Sequence, residues 1–413
     1  MLTKSTSPQV ADRIRRRTLH AACGAHAVHD GMTDLIYVLL PLWQSQFGIG
    51  YAVTGLMRSL YVGVMAALQI QAGRMSNRWS RKTLLVAGTA IAGLGFLVAG
   101  QTGALAGTCI ALVLGGIGAS PQHPLASSMV ADSHDNHGSR AALATYNFAG
   151  DIGKMLLPAA VGLALSWWSW QQSVTVVGLF GLVAACWLAW MIPSAAPPVR
   201  IESADKAAAP SRQPVGSPGF RALLAIGLFD SATRMGFLTF LPFVLKAKGA
   251  TTATIGLALA LLFIGGAAGK LACGYLGNRI GMMKTVWLTE SCTALAILAQ
   301  LVLPLSLALA SLPLLGVALN GTSSVLYGSV PDLVKREQRE HAFALFYTIT
   351  LGSGAASPLA LGFVSDHWGV PLAIQCAAGL SLLTLPLAWL VNRELKRSME
   401  AAKLTGLLAE EAR

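Results

Sequence analysis

Three residues spaced one helical turn apart, His26, Asp30 and Asp34, put an imidazole and two carboxylates on one face of a helix. A carboxylate in an apolar wall beside an imidazole can take up and release a proton near neutral pH. Asp230 and Arg234 repeat the four-residue spacing, and Asp151 and Lys154 give a three-residue one. Arg58 adds a guanidinium, whose planar fork fits a carboxylate, phosphate or phosphonate. His123 stands directly before Pro124. All lie in apolar stretches, where an ionisable side chain costs about 2.5–3.5 kcal/mol at mid-helix, so they are functional candidates by default. We read Asp30, His26, Asp34, Asp151 and Asp230 as proton-coupling residues. Arg58, Lys154, Arg234 and His123 are read as substrate-binding. A bland reading stands beside each: Asp30 as a structural salt-bridge partner, Arg58 neutralising Asp34, and Pro124 merely bending its helix.

The segments that must position these groups are apolar and long. Of the 413 residues, 54% are hydrophobic and only 12% charged, against about 25% charged in soluble domains. Twelve stretches have the roughly 20 residues needed to cross a bilayer as a helix. They lie near 18–42, 52–73, 83–100, 104–131, 139–166 and 172–192, then near 219–246, 252–275, 283–303, 305–328, 339–363 and 370–391. An all-α integral membrane fold follows, because only helices satisfy their own backbone groups there.

The sequence reads twice. A step of 200 or 201 residues carries Asp30 to Asp230, Pro41 to Pro242, Gly55 to Gly256, Asn77-Arg78 to Asn278-Arg279, Asp132 to Asp332 and Pro158 to Pro358. Two homologous six-helix bundles around a central site are the architecture of a secondary transporter. Residues 1–192 form the first bundle, the proline-rich 193–218 a cytoplasmic linker, and 219–413 the second bundle and tail. The net charge of +12 is topological. Arg58, Lys154, Arg234 and Lys270 fall within helices and Lys246 and Lys248 on the outer side. Every other Lys and Arg lies at a terminus, in the linker or in an even-numbered loop. This positive-inside bias puts both termini in the cytoplasm of a multi-pass protein of the inner (plasma) membrane and argues against nucleic-acid binding. The six cysteines stand singly, as packing residues without pairing motifs. The Arg-rich start lacks a small-residue cleavage site, so the first helix is expected to be retained.

The loop Gly73-Arg-Met-Ser-Asn-Arg-Trp-Ser-Arg-Lys82 returns as Gly274-Tyr-Leu-Gly-Asn-Arg-Ile-Gly-Met-Met-Lys284. Both resemble the Gly-x-x-x-Asp-Arg-x-Gly-Arg-Arg loop of the major facilitator superfamily, with Asn77 and Asn278 in place of its Asp. The resemblance implies a gating latch built from Asn77, Arg78, Asn278 and Arg279, with Asp132 and Asp332 supplying the missing carboxylates. His26-x-x-x-Asp30 and Gly116-Ile-Gly-Ala-Ser-Pro-Gln-His-Pro124 are similar to the fosmidomycin-resistance branch, which exports drugs. That branch has His-Pro-Glu where this chain has His123-Pro124-Leu125.

In the family, the first, second, fifth and seventh helices line the central cavity, and these are the four that carry the mid-helix charges. At 1.5 Å per residue, Asp30, Asp151 and Asp230 lie roughly 17 Å from the cytoplasmic end. Arg58, Lys154, Arg234 and Asp34 form a second layer roughly 23 Å in. Glu290 of the ninth helix is read as a partner for Lys270, outside the site, and His29 as a packed histidine.

The expected function is secondary active transport, by proton antiport, exporting a small anionic or zwitterionic drug or metabolite. Proton-coupled uptake of a small organic anion is the alternative. No Gly-x-x-x-x-Gly-Lys-Ser/Thr loop is present for ATP use. No nucleophile–base pair or second ligand cluster supports an enzyme, a metal site or a cofactor. The expected partners are the substrate, protons and the lipid bilayer, and the chain is expected to act as a monomer.

Overall fold

The computed structural model describes residues 8–134, 136–193, 216–334 and 338–411. Among them every regular element of any length is an α-helix, and no strand occurs. The first half comprises α1 (Pro8–Phe47), α2 (Tyr51–Met75), α3 (Arg81–Gln101), α4 (Leu105–Ala119), α5 (Gln122–Ser133), α6 (Asn136–Ala164) and α7 (Trp170–Met191). The second comprises α8 (Pro218–Ala247), α9 (Thr252–Ile280), α10 (Met282–Val302), α11 (Leu305–Leu333), α12 (Arg339–Trp368) and α13 (Val370–Glu411). Since α4 and α5 divide one span, these segments make twelve, six on each side of the linker. Residues 194–215 of that linker lie outside the described residues.

Ten spans are apolar and long enough to cross a membrane, Leu105–Ser133 being counted as one. The two others, α1 and α6, carry the His26-Asp30-Asp34 and Asp151-Lys154 groups, which lower their apolarity. The helices that most resist a purely hydrophobic definition are therefore the ones that hold the chemistry.

The helix ends follow from local sequence. Ser80 caps α3 by accepting from the Thr83 amide (3.0 Å). Ser169 and Gln172 form a capping box on α7, and Ser217 caps α8 with Pro218 in its first turn. Gly48 (φ 59°) and Gly249 (φ 88°) end α1 and α8 in the left-handed region, at matching places in the two repeats. The fourth span breaks after Ser120, at Pro121. The bend expected of Pro124 is therefore one turn earlier. Pro124 falls in the first turn of α5, where the missing amide hydrogen leaves no bond unmade. Pro158 and Pro358 lie inside α6 and α12 without ending them.

The chain divides into two compact units, Met1–Pro210 with Gly249–Ala260 and Ser211–Lys248 with Leu261–Arg413. In the first, Ala21, Ala25, Leu85, Val130, Tyr146 and Leu188 belong to one buried cluster. In the second, Phe220, Leu223, Val286, Leu326, Phe346 and Val391 do the same. Large apolar residues such as Leu271, Leu295, Val302 and Leu314 are exposed, as surfaces that meet lipid require. Small residues set the closest helix contact in the first unit. A Cβ on Gly153 would collide with the Ala27 backbone, and one on Gly31 would lie 2.9 Å from the Gly153 carbonyl oxygen. α1 and α6 therefore meet nearly backbone to backbone.

Candidate functional site

The close approach of α1 and α6 brings the first-unit charges together around Asp30. The Asp30 side chain is 8% exposed. Oδ2 faces His26 Nε2 at 3.1 Å and Lys154 Nζ at 3.2 Å. Oδ1 faces His123 Nε2 at 3.6 Å, supplied by the first turn of α5. Gly150 of α6 makes room for this: a Cβ there would lie 2.6 Å from His26 Nε2 and 2.8 Å from Asp30 Oδ2.

The hydrogen-bond chemistry of His26 is constrained at its other nitrogen. Nδ1 lies 2.9 Å from the backbone carbonyl oxygen of Tyr146, which can only accept, so Nδ1 carries a hydrogen and donates. The ring stacks on Tyr146, centroids 4.1 Å apart, and meets His123 edge-on at 5.1 Å. Tyr146 Oη in turn accepts from Gln122 Nε2 (3.1 Å). With Nδ1 committed, Nε2 and Asp30 Oδ2 form a favourable contact only when one proton lies between them. Either the imidazole is doubly protonated beside a carboxylate, or a carboxylic acid donates to a neutral ring. Two acceptors at 3.1 Å would repel.

His26, Asp30 and His123 also offer three ligand atoms within 4.8 Å of one another, a donor set that suits a divalent transition metal. The Lys154 ammonium on Asp30 Oδ2 opposes that, since it puts a positive charge on the oxygen a cation would use. The group fits a proton better than a metal.

Arg58 is enclosed. It is 1% exposed, and its guanidinium donates to the Thr33 carbonyl oxygen (2.7 Å), to Tyr37 Oη (2.9 Å) and to Asp34 Oδ1 (3.2 Å), lying over the Tyr37 ring at 4.1 Å. Of the two readings left open for Arg58, this geometry is that of a partner for Asp34. The side chains of His123 (40% exposed) and Lys154 (28%) are the more open ones around Asp30. Asp151, three residues before Lys154, lies 4.0 Å from its ammonium.

The expected separation into an inner acidic layer and an outer basic layer does not hold. Lys154 reaches back to Asp30, and Arg234 back to Asp230 (3.4 Å). Long cationic side chains span the one-turn difference, and in a low dielectric an ion pair is far more favourable than two separated like-charge layers. His29, as expected, is packed, with Nε2 at 3.0 Å from Thr89 Oγ1.

Glu290 of α10, read from the sequence as a partner for Lys270, has a side-chain partner on α13. It is 2% exposed, and its Oε2 accepts from Ser381 Oγ of α13 at 2.5 Å. The signal was present, since an acid at that position of an apolar span needs a partner. No single-helix spacing links residue 290 to residue 381.

At the loops, Asp132 meets Arg81 Nη1 at 2.6 Å, where Arg78 was expected. Arg81 opens α3 beside the end of α5, whereas Asn77 and Arg78 lie exposed in the turn after α2. Arg279 lies over the Tyr275 ring at 4.9 Å, and Asp332 is exposed near the end of α11. The Asn278 side chain lies outside the described residues.

Comparison with known proteins agrees with this architecture. The family model described as Major Facilitator Superfamily matches residues 22–306 and, again, 223–406. The chain is similar to the Probable 4-methylmuconolactone transporter of Cupriavidus pinatubonensis, with 22% identity over 90% of this chain and 87% of that one. It is similar to the Fosmidomycin resistance protein of Escherichia coli, with 23% identity over 90% and 93%. A crystal structure of a bacterial homolog to the human lysosomal transporter Spinster, in an inward-facing and occupied conformation, has the same fold. Its TM-score is 0.76 at 16% identity, covering 92% of this chain and 97% of that one.

Proposed function

The chain belongs to the Major Facilitator Superfamily, and we propose that it moves a small organic anion together with a proton by alternating access. The observation that carries this is the Asp30 carboxylate held between His26, which needs a shared proton, and the half-open Lys154 ammonium. An incoming carboxylate competes with Asp30 for Lys154. Once displaced, Asp30 is left beside an anion in a low dielectric, and taking up a proton relieves that repulsion. Anion binding and proton binding therefore favour one another, which is the linkage that cotransport requires. His123, on the other carboxylate oxygen, is the second contact available to the anion. Arg58 and Asp34 hold α1 and α2 together one turn further along α1, and Arg81–Asp132 ties the cytoplasmic ends of α3 and α5. The chain works in the inner membrane with both termini cytoplasmic, in keeping with the distribution of Lys and Arg.

A second reading, export by proton antiport, draws support from the similarity to the Fosmidomycin resistance protein. It requires the substrate to compete with the proton at Asp30 itself, so it suits a substrate bringing a cationic group. Reconstituted protein in liposomes with an alkaline interior separates the two. The probes are 4-methylmuconolactone, fosmidomycin and a panel of small monocarboxylates. Cotransport predicts accumulation of an acid inside the alkaline lumen. Antiport predicts accumulation only when the lumen is acidic.

A further inference from the structure

Tyr146 of α6 touches His26 twice. Its backbone carbonyl oxygen lies 2.9 Å from Nδ1, and its ring stacks on the imidazole with centroids 4.1 Å apart and planes 25° from parallel. The tyrosine is 2% exposed, in the cluster that holds Ala21, Ala25 and Leu188. Its hydroxyl is fixed by Gln122 Nε2 (3.1 Å), from the first residue of α5. The second repeat serves as a control. There the counterpart of His26 is Ile226, and the counterpart of Tyr146 is Tyr347, which is 50% exposed and packs on Tyr327 (centroids 4.8 Å apart). The counterpart of Gln122 is the shorter Thr322, which donates to Thr289 instead (2.8 Å). The buried stack thus accompanies the histidine and not the scaffold. We propose that Tyr146 is a positioning residue, which keeps the proton shared by His26 and Asp30 on the imidazole.

Two resting places are open to that proton, His26 Nε2 and Asp30 Oδ2, 3.1 Å apart. In water an imidazole holds a proton roughly 400-fold more tightly than an aspartate carboxylate. Burial erodes the preference, because a carboxylic acid beside a neutral ring has no charge to desolvate. Tyr146 restores it with two negative poles, the carbonyl oxygen at Nδ1 and the π face over the imidazole. Each attracts an imidazolium more than a neutral ring. Lys154 acts from the other side, its ammonium 3.2 Å from Asp30 Oδ2 favouring the ionised carboxylate. The remaining titratable groups around the pair already have contacts of their own. His123 of α5 meets His26 edge-on at 5.1 Å and Asp30 Oδ1 at 3.6 Å. His29 of α1 lies on Thr89 of α3, Asp151 of α6 is 4.0 Å from Lys154, and Asp34 of α1 pairs with Arg58 of α2. From α7 the nearest group is the Trp187 ring, packed against Gly24. The site therefore rests as imidazolium and carboxylate, with Asp30 available to hold Lys154.

The inference rests on the reading of Asp30 as the proton carrier, and its test uses purified protein without substrate so that the two can fail separately. Nitrogen NMR of protein labelled at histidine distinguishes a ring with two N–H groups from one with a bare nitrogen. The His26 signals are those missing from His26→Gln. At neutral pH the wild type is expected to carry hydrogen on both His26 nitrogens. Tyr146→Phe, which keeps the ring and the carbonyl, should do the same. Tyr146→Leu keeps the carbonyl but loses the ring, and the proton is expected to move to Asp30, baring Nε2 and adding a protonated-carboxyl infrared band. Tyr146→Met, read in the same way, replaces it should Tyr146→Leu fold poorly. A bare Nε2 in the wild type overturns the inference, and so does a doubly protonated His26 in the variant that lacks the ring. Accumulation equal to wild type by Asp30→Asn under a pH gradient would overturn the transport reading instead, without changing where the wild-type proton rests.

Discussion

The ammonium of Lys154 on α6 lies 3.2 Å from Asp30 Oδ2 on α1, the same oxygen that faces His26 Nε2 at 3.1 Å. One carboxylate oxygen is thus shared between an ammonium and an imidazole nitrogen that makes a favourable contact only with a proton between them. If an anionic substrate takes Lys154 from Asp30, removing the ammonium should remove the anion's anchor. Lys154→Ala is expected to weaken binding by about 1.5–3 kcal/mol, the range for a hydrogen bond to a charged group. Lys154→Arg should retain much of it. Equilibrium binding of whichever acid the wild-type liposomes accumulate checks this, and equal affinity in Lys154→Ala would remove the anion from that position.

Gly150 tests the packing beneath the site. A methyl group there would lie 2.6 Å from His26 Nε2 and 2.8 Å from Asp30 Oδ2. Gly150→Ala is expected to cost about 1–3 kcal/mol of stability through overpacking and to abolish pH-driven transport. Gly352→Ala, where an added Cβ meets nothing within 4 Å, should change neither. Thermal unfolding in detergent, measured beside transport, distinguishes the two positions.

Arg58 and Asp34 form a buried pair, so each single neutralisation strands the other charge. Arg58→Ala should destabilise by about 3–5 kcal/mol, as breaking buried pairs does. Combining it with Asp34→Ala should be milder than the sum of the two. A double-mutant cycle on thermal stability measures the coupling. Strict additivity would return Arg58 to the substrate-binding role that its sequence position suggested.

Arg81 and Asp132 make a partly exposed contact (2.6 Å, side chains 16% and 51% exposed), worth at most about 1 kcal/mol to stability. Its effect should be on conformation. Asn77→Asp places a carboxylate in the turn after α2 and is expected to favour the outward-facing state, as read by cysteine labelling from the two sides. A shift towards inward-facing would sink the latch.

Much of this architecture was legible before any coordinates. The 200-residue repeat and the twelve apolar stretches specify two six-helix bundles, because a spanning segment has few conformations open to it. The His26-Asp30 contact was readable from a four-residue spacing, since the helix itself supplies that geometry. What no spacing could supply was contact between helices. His123 reaches Asp30 because the fourth span breaks at Pro121, and Ser381 of α13 reaches Glu290 of α10. The layering of charges failed for a related reason: backbone depth was counted, but lysine and arginine side chains travel a full turn.

The central claim, that Asp30 carries the coupled proton, is tested most directly by Asp30→Asn in liposomes. Accumulation of the transported acid under an imposed pH gradient is measured beside gradient-free counterflow of the same acid. Asparagine keeps the side-chain shape but does not titrate. The account predicts that accumulation falls to the level of protein-free liposomes while counterflow persists. Accumulation equal to wild type would contradict it.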